Sequence, residues 1–365
     1  VSQGLTKSEK LVASFSERAF LKLWTHPNPK GKKDKELCDC LIVCGKHIVI
    51  ISVKDIQYKD TGNFAEEGRW VKSAIKKSVD QIYGAERCLK NVNTVTRSDG
   101  IVVELLSKED RIVHRISVSL GAKRQISTIS GDFGKGFVHV LDEFSLGAIF
   151  GLLDTITDFV NFLSDVESLI SNTSIVFDGR GIEDLLAIYL QGYYSFEILP
   201  DIQPLIISSK FYDDFLKTKI FKEMQERYKE SYFWDKLIEH LVKDLLTDGM
   251  IDFSTGEVTI NQLALVQMAL QPRRVRVDLV KSFKEFLKNP ELKIIYVRGY
   301  HKTIFVILIG SSANRESRVE ELDLSCRNAP NKFTDYDIVV GIARDSFGPS
   351  DVGYSYDLAY IGVVK

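Results

Sequence analysis

Two short apolar runs, residues 39–43 and 47–54, constrain what this chain can fold into more than any other stretch; both are rich in Val, Ile and Leu and they are separated by Cys44-Gly45-Lys46. Runs of that length around a glycine-containing turn form a β-hairpin. Side chains alternate between the two faces of a strand, so Glu36 and Asp39 stand at the entrance of the first strand, while Ser52 and Lys54 share one face at the exit of the second. Antiparallel pairing brings that entrance and exit together. A carboxylate able to hold a divalent cation, beside an ammonium able to orient or activate water, suits metal-assisted hydrolysis of a phosphodiester. Asp39 is flanked by Cys38, Cys40, Leu41 and Ile42. A carboxylate in such company needs a cation or a hydrogen-bond donor, because an unpaired buried charge costs several kcal/mol.

Both flanks of the hairpin are expected to be helical. Residues 8–24 place Val12, Phe15, Ala19, Phe20 and Leu23 at helical spacing, with Glu9 on the edge of that face. Residues 70–90 repeat the pattern with Trp70, Ala74, Ile75, Ser78, Ile82, Ala85 and Leu89, and Gln81 lies beside the stripe, within reach of the strand ends. Further strands are expected at 101–106 and 111–120. This order of elements, with an acidic residue on one strand and a lysine on the next, resembles the PD-(D/E)XK nuclease superfamily, in particular its nuclease-related (NERD) and Mrr-like branches. The resemblance implies a restriction-endonuclease-like mixed sheet flanked by helices.

On that resemblance Asp39 takes the place of the family's metal-binding Asp and Lys54 that of its Lys. Ser52 stands where the pattern has Glu, Asp or Gln, so a further metal ligand would come from Glu36, or from Glu9 on the first helix, where several branches carry a Glu. Gln81 matches the Gln of a Gln-x-x-x-Tyr motif found in some RecB-like nucleases, with Ala85 in the tyrosine's place. The implied activity is Mg²⁺- or Mn²⁺-dependent cleavage of DNA or RNA. Asp39, Glu36, Ser52, Lys54 and Gln81 form the implied catalytic group, and Asp39, Glu36 and Glu9 the implied metal ligands. Related domains occur in prokaryotic anti-phage defence, and many act as homodimers or beside a protein partner. The competing expectation, for which Ser52 is the argument, is a nuclease fold without catalysis that binds nucleic acid or a protein. Asp55 points to the opposite strand face and is the weaker candidate.

The rest of the chain is less specific. Its 365 residues, 44% hydrophobic and 27% charged, suit a globular protein of two or three domains. A net charge of -2 gives no global argument for a polyanionic partner, which must rest on local patches. In residues 271–302 nine Lys or Arg oppose three acidic residues, and the grouped Arg273, Arg274 and Arg276 are the expected nucleic-acid contacts, against the plainer reading of a solvated helix face. Leu146, Ile149, Leu153, Ile156, Phe159, Leu163 and Val166 predict one helix over 145–170, in which Asp154 and Asp158 argue against a membrane span. Residues 294–297 and 303–309 read as a hairpin, and 338–343 and 358–364 as strands. The expected fold is therefore α/β (α+β), with a nuclease-like domain at 1–141, a mainly helical region at 142–270 and a mixed α/β domain at 271–365.

Five cysteines form no disulfide framework, and Cys38, Cys40 and Cys44 lack the spacing of a zinc knuckle. The six histidines are scattered singly. No basic segment followed by an apolar one opens the sequence, so the expectation is a cytoplasmic protein without a membrane partner.

Overall fold

Thr6 opens helix α1 (Lys7–Phe20) with a capping box: its hydroxyl accepts from the Glu9 amide at 3.3 Å, and the Glu9 carboxylate accepts from the Thr6 amide at 2.9 Å. The helix stops at Leu21, where φ is +66°, earlier than its apolar spacing implies. The chain then forms a short edge strand, β1 (Thr25–Pro27), before the expected hairpin of β2 (Cys40–Cys44) and β3 (His47–Asp55). Gly45, at φ +57°, supplies the positive φ that the two-residue turn requires. The computed structural model describes residues 5–31, 35–97, 99–125, 129–178, 181–208, 210–247, 249–251, 258–289, 291–310, 314–345 and 355–362.

Helix α2 (Phe64–Val71) begins ahead of the expected Trp70, because Asn63 caps it by accepting from the Ala65 amide at 2.9 Å. It runs through a π-helical turn, Lys72–Lys76, into α3 (Lys77–Leu89). Strands β4 (Thr94–Thr96) and β5 (Val102–Glu104) form a separate two-stranded sheet, so the run at 101–106 does not join the main sheet. That sheet is completed by β6 (Ile112–Leu120), β7 (Gly131–Asp132) and β8 (Phe137–Leu141), in the order β1-β2-β3-β6-β8-β7. Pairing is parallel for β3/β6 and β6/β8 and antiparallel elsewhere.

One face of the sheet packs on the π turn and α3, where Leu41, Ile48, Ile50, Val138 and Val140 meet Ala74, Ile75, Val79 and Ile82. The other carries α1, α4 (Glu143–Leu152) and α5 (Ile156–Asn172), whose Phe20, Phe150 and Phe159 rings sit 4.9 to 5.2 Å apart. The single helix expected over 145–170 is thus two. Thr155 separates them: its hydroxyl accepts from the Asp158 amide at 3.2 Å and donates to the Asp158 carboxylate at 2.7 Å, starting α5 afresh. After α5 come β9 (Ile175–Asp178), α6 (Ile182–Gln191), β10 (Leu205–Ser208), α7 (Phe211–Lys217) and α8 (Lys219–Lys229), with β9 and β10 paired in parallel.

The chain divides into two compact units, Val1–Gln225 and Glu226–Lys365, rather than near residues 141 and 270. The second unit holds α9 (Tyr232–Thr247), α10 (Ile260–Ala269), α11 (Arg273–Leu287), β11 (Ile294–Arg298), β12 (Thr303–Gly310), α12 (Arg315–Lys332), β13 (Ile338–Asp345) and β14 (Tyr356–Gly362). The strand expected to reach residue 364 is described to Gly362; residues 363 and 364 lie outside the described residues. The four strands form one mixed sheet in sequence order, with β12 and β13 parallel across α12. The whole is a mixed α/β protein, as the sequence implies. Among the described residues no helix is long and apolar enough to cross a membrane.

Three histidines of the first unit are held neutral inside it. Burial, with Arg97 nearby, lowers His26 to about 3; burial, with His47 and Arg115, lowers His114 to about 3; burial, with His114 and Arg115, lowers His139 to about 3. The unfolded chain takes up these protons from about pH 6.5 downward, so the stability they confer is complete above that pH and is lost as pH falls towards 3. We expect the urea midpoint to fall across this window, and His139→Leu to flatten the slope by up to one proton, about 1.4 kcal/mol per pH unit. Urea titrations of parent and variant at several pH values check this.

Candidate functional site

Strand β3 lies inside the sheet, and its exit carries the chemistry. The β3/β6 register sets Ser52 opposite Ser117 and Lys54 opposite Ser119. On the other side Cys40 faces Ile51, so Asp39 falls one step further along, beside Ser52. Strand alternation puts Ser52 and Lys54 on the face of Ile48 and Ile50, beneath α3. From that helix Gln81 Oε1 accepts hydrogen bonds from Lys54 Nζ at 2.8 Å and from Ser52 Oγ at 3.0 Å. Ser78, one turn earlier, donates to the Ser52 carbonyl at 3.2 Å.

Asp39 is buried, and its Oδ2 accepts the Val53 amide at 2.5 Å, which locks the carboxylate against the neighbouring strand. Glu36 stands beside it. Partial desolvation, then the charge of Asp39 and a hydrogen bond with it, push the Glu36 carboxyl up to about 7; Glu9 adds to the rise and Lys54 opposes it. The outer surface of Glu36 remains open to water. Glu9 also spends one oxygen on the Thr6 amide. Asp55 lies on the α1 side, where it accepts from the Ser8 hydroxyl at 2.6 Å and ties the first turn of α1 to the end of β3.

The structure thus draws Glu36, Asp39, Ser52, Lys54 and Gln81 together, with Glu9 close enough to act on Glu36 through its charge. Among the described residues no group of three His, Cys, Asp or Glu side chains is arranged to hold a metal ion. Mg²⁺ does not require such a cage: it is commonly bound by one or two carboxylates and completes its shell with water and substrate phosphate. Two adjacent carboxylates, Asp39 and Glu36, fit that donor set, because a cation between them offsets the repulsion that raises Glu36.

Sequence reasoning passed over Ser117 and Ser119. Both are fully buried, and their hydroxyls have no hydrogen-bond partner. The signal was present in the Ile116-Ser117-Val118-Ser119 alternation, which places small polar groups on the face of Ser52 and Lys54. No family model, curated protein or solved structure matches this chain.

The expected nucleic-acid contacts in the second unit are corrected by burial. Arg273 and Arg276 are 2% and 3% exposed, and both guanidinium groups bind the Asp235 carboxylate. Arg273 also lies over the Tyr232 ring at 4.3 Å, and Arg276 donates to the carbonyls of Ala269 and Gln271 at 2.6 and 2.7 Å. These two arginines lock α9, α10 and α11 together and are not offered to a phosphate; Arg274 alone of the three is exposed. Asp235→Ala is expected to destabilise the second unit by about 3–5 kcal/mol, since it removes the carboxylate that two buried guanidinium groups bind. Arg274→Ala should stay within about 0.5 kcal/mol of the parent. Urea denaturation of the two variants tests the contrast.

Proposed function

We propose that this protein is a divalent-metal-dependent phosphodiesterase acting on nucleic acid, with a first unit related to the PD-(D/E)XK nucleases. The observation that carries the reading is the convergence at one strand end of two carboxylates, Glu36 and Asp39, and an ammonium, Lys54, fixed by a helix amide. Mg²⁺ or Mn²⁺ held by Asp39 and Glu36 would supply charge for the scissile phosphate and acidify a bound water. Lys54 stabilises negative charge growing on the phosphate and orients the attacking water, as an ammonium held in place by Gln81 can do without reorganisation. Ser52 donates its hydroxyl hydrogen bond to Gln81 and so serves the lysine's partner rather than a cation. Prokaryotic defence against foreign nucleic acid is the biological role that accompanies this reading. It follows from the sequence resemblance alone.

A second reading has an observation of its own. With Ser52 in place of an acidic ligand and bound to Gln81, the same fold can serve as a binding module without cleavage. The two readings part on one experiment: incubation of single- and double-stranded DNA and RNA with Mg²⁺ or Mn²⁺, comparing the parent with Asp39→Ala and Lys54→Ala. We expect metal-dependent products from the parent and a loss of about 100-fold or more in each variant. Equal absence of products from all three proteins would select the module.

The Glu36 proton gives a second expectation. Below about pH 7 the carboxyl holds a proton that competes with a cation, so activity rises through that pH. At subsaturating metal the ascending limb should lie near 7 and move to lower pH as metal is raised, whereas Glu36→Gln should abolish this metal-dependent displacement. Initial rates across pH at two metal concentrations measure it.

A further inference from the structure

The π turn in the long helix does more than interrupt it. Within Lys72–Lys76 the hydrogen bonding lengthens by one residue, and the Lys77 amide donates to the Lys72 carbonyl. Lys72 and Lys77 therefore stand one above the other, where unbroken α-helical spacing would align Ser73 with Lys77. Gln81 follows Lys77 by one ordinary helical turn. Lys72, Lys77 and Gln81 form a line along the helix that ends at Lys54, and Lys76 lies beside it. All three lysines of the helix are exposed, and among the described residues none has an ion-pair partner; Asp80, though within a turn of Lys76 and Lys77, pairs with neither.

Like charges one turn apart weaken a helix. Here the alignment is produced by an irregular turn, a device that recurs at functional sites. In the second unit, two of the three grouped arginines are instead consumed by Asp235. We infer that Lys72, Lys76 and Lys77 form a track for the sugar-phosphate backbone of a nucleic acid, leading it to the strand end at Lys54. The choice of nucleic acid among polyanions rests on the phosphodiesterase reading. The track itself rests on charge, exposure and alignment.

The test is binding without cleavage. A labelled duplex DNA and an RNA of the same length are titrated with the full chain in EDTA by fluorescence anisotropy, from about 50 to 200 mM salt. The plot of log K against log salt should lose about 1 in slope for each lysine replaced by Gln, hence about 2 for Lys72→Gln with Lys77→Gln, uniformly across sequences. The charge-preserving pair Lys72→Arg with Lys77→Arg should restore the parent slope, which separates charge from folding. Lys108→Gln is the control: Lys108 is exposed in the 3₁₀ turn before β6, at the opposite end of that strand from Ser119. An unbound parent, an unchanged slope in the double Gln variant, or an equal loss in Lys108→Gln would overturn the track. Lysine-dependent binding without metal-dependent products would leave the track standing and remove the phosphodiesterase reading. Products with an unaltered slope would do the reverse.

Discussion

One amide oxygen, Gln81 Oε1, receives both the Lys54 ammonium and the Ser52 hydroxyl, and the geometry of the strand end depends on it. A lysine finishing an apolar strand ordinarily runs its stem along the sheet and leaves its head in water. Here the head is brought under a helix and given a neutral acceptor. A carboxylate in that place would neutralise the lysine; an amide orients it and leaves its full charge for the Glu36–Asp39 pair and for any bound anion. The amide reaches the lysine because Ile48 and Ile50 seat α3 on the sheet, and because Ser78 binds the Ser52 carbonyl one turn before Gln81.

What was legible in the sequence is what periodicity and alternation decide locally. The hairpin followed from two apolar runs around a glycine turn, and the meeting of Glu36, Asp39, Ser52 and Lys54 followed from which ends of an antiparallel pair coincide. Gln81 was legible as a polar residue beside an apolar stripe. What was not legible was decided by side chains that override periodicity. Thr155 and Asp158 bind each other and break an apolar pattern that continues through them. Leu21 leaves the helix before its apolar face ends, and β1 is too short to show any pattern. The arginines of α11 read as a surface patch because nothing in their neighbourhood announces Asp235, which tertiary packing alone brings to them.

The two units handle internal charge differently. In the second, the buried guanidinium groups are saturated by Asp235, backbone carbonyls and a ring face. Such a cluster is fully satisfied, and it rigidifies. At the strand end of the first unit satisfaction is incomplete: two carboxylates face each other, and two serine hydroxyls below the helix have no partner. Proteins keep groups of this kind where something else completes them.

The π turn also bears on how this chain can change. Elsewhere in a helix, losing one residue rotates everything downstream by about 100° and pulls an apolar face out of its seat. In the segment Lys72–Lys76 the surplus residue is already present, so its removal would leave ordinary α-helix with Trp70 on one side and Ile82 on the other still able to face the sheet. Such a deletion between Lys72 and Lys77 would set the two lysines four residues apart, still one above the other, and would only shorten the helix by the surplus residue. The turn is therefore a place where the fold and the surface are uncoupled, and where a single deletion in evolution alters the outer face of the helix while the sheet beneath it remains as it was.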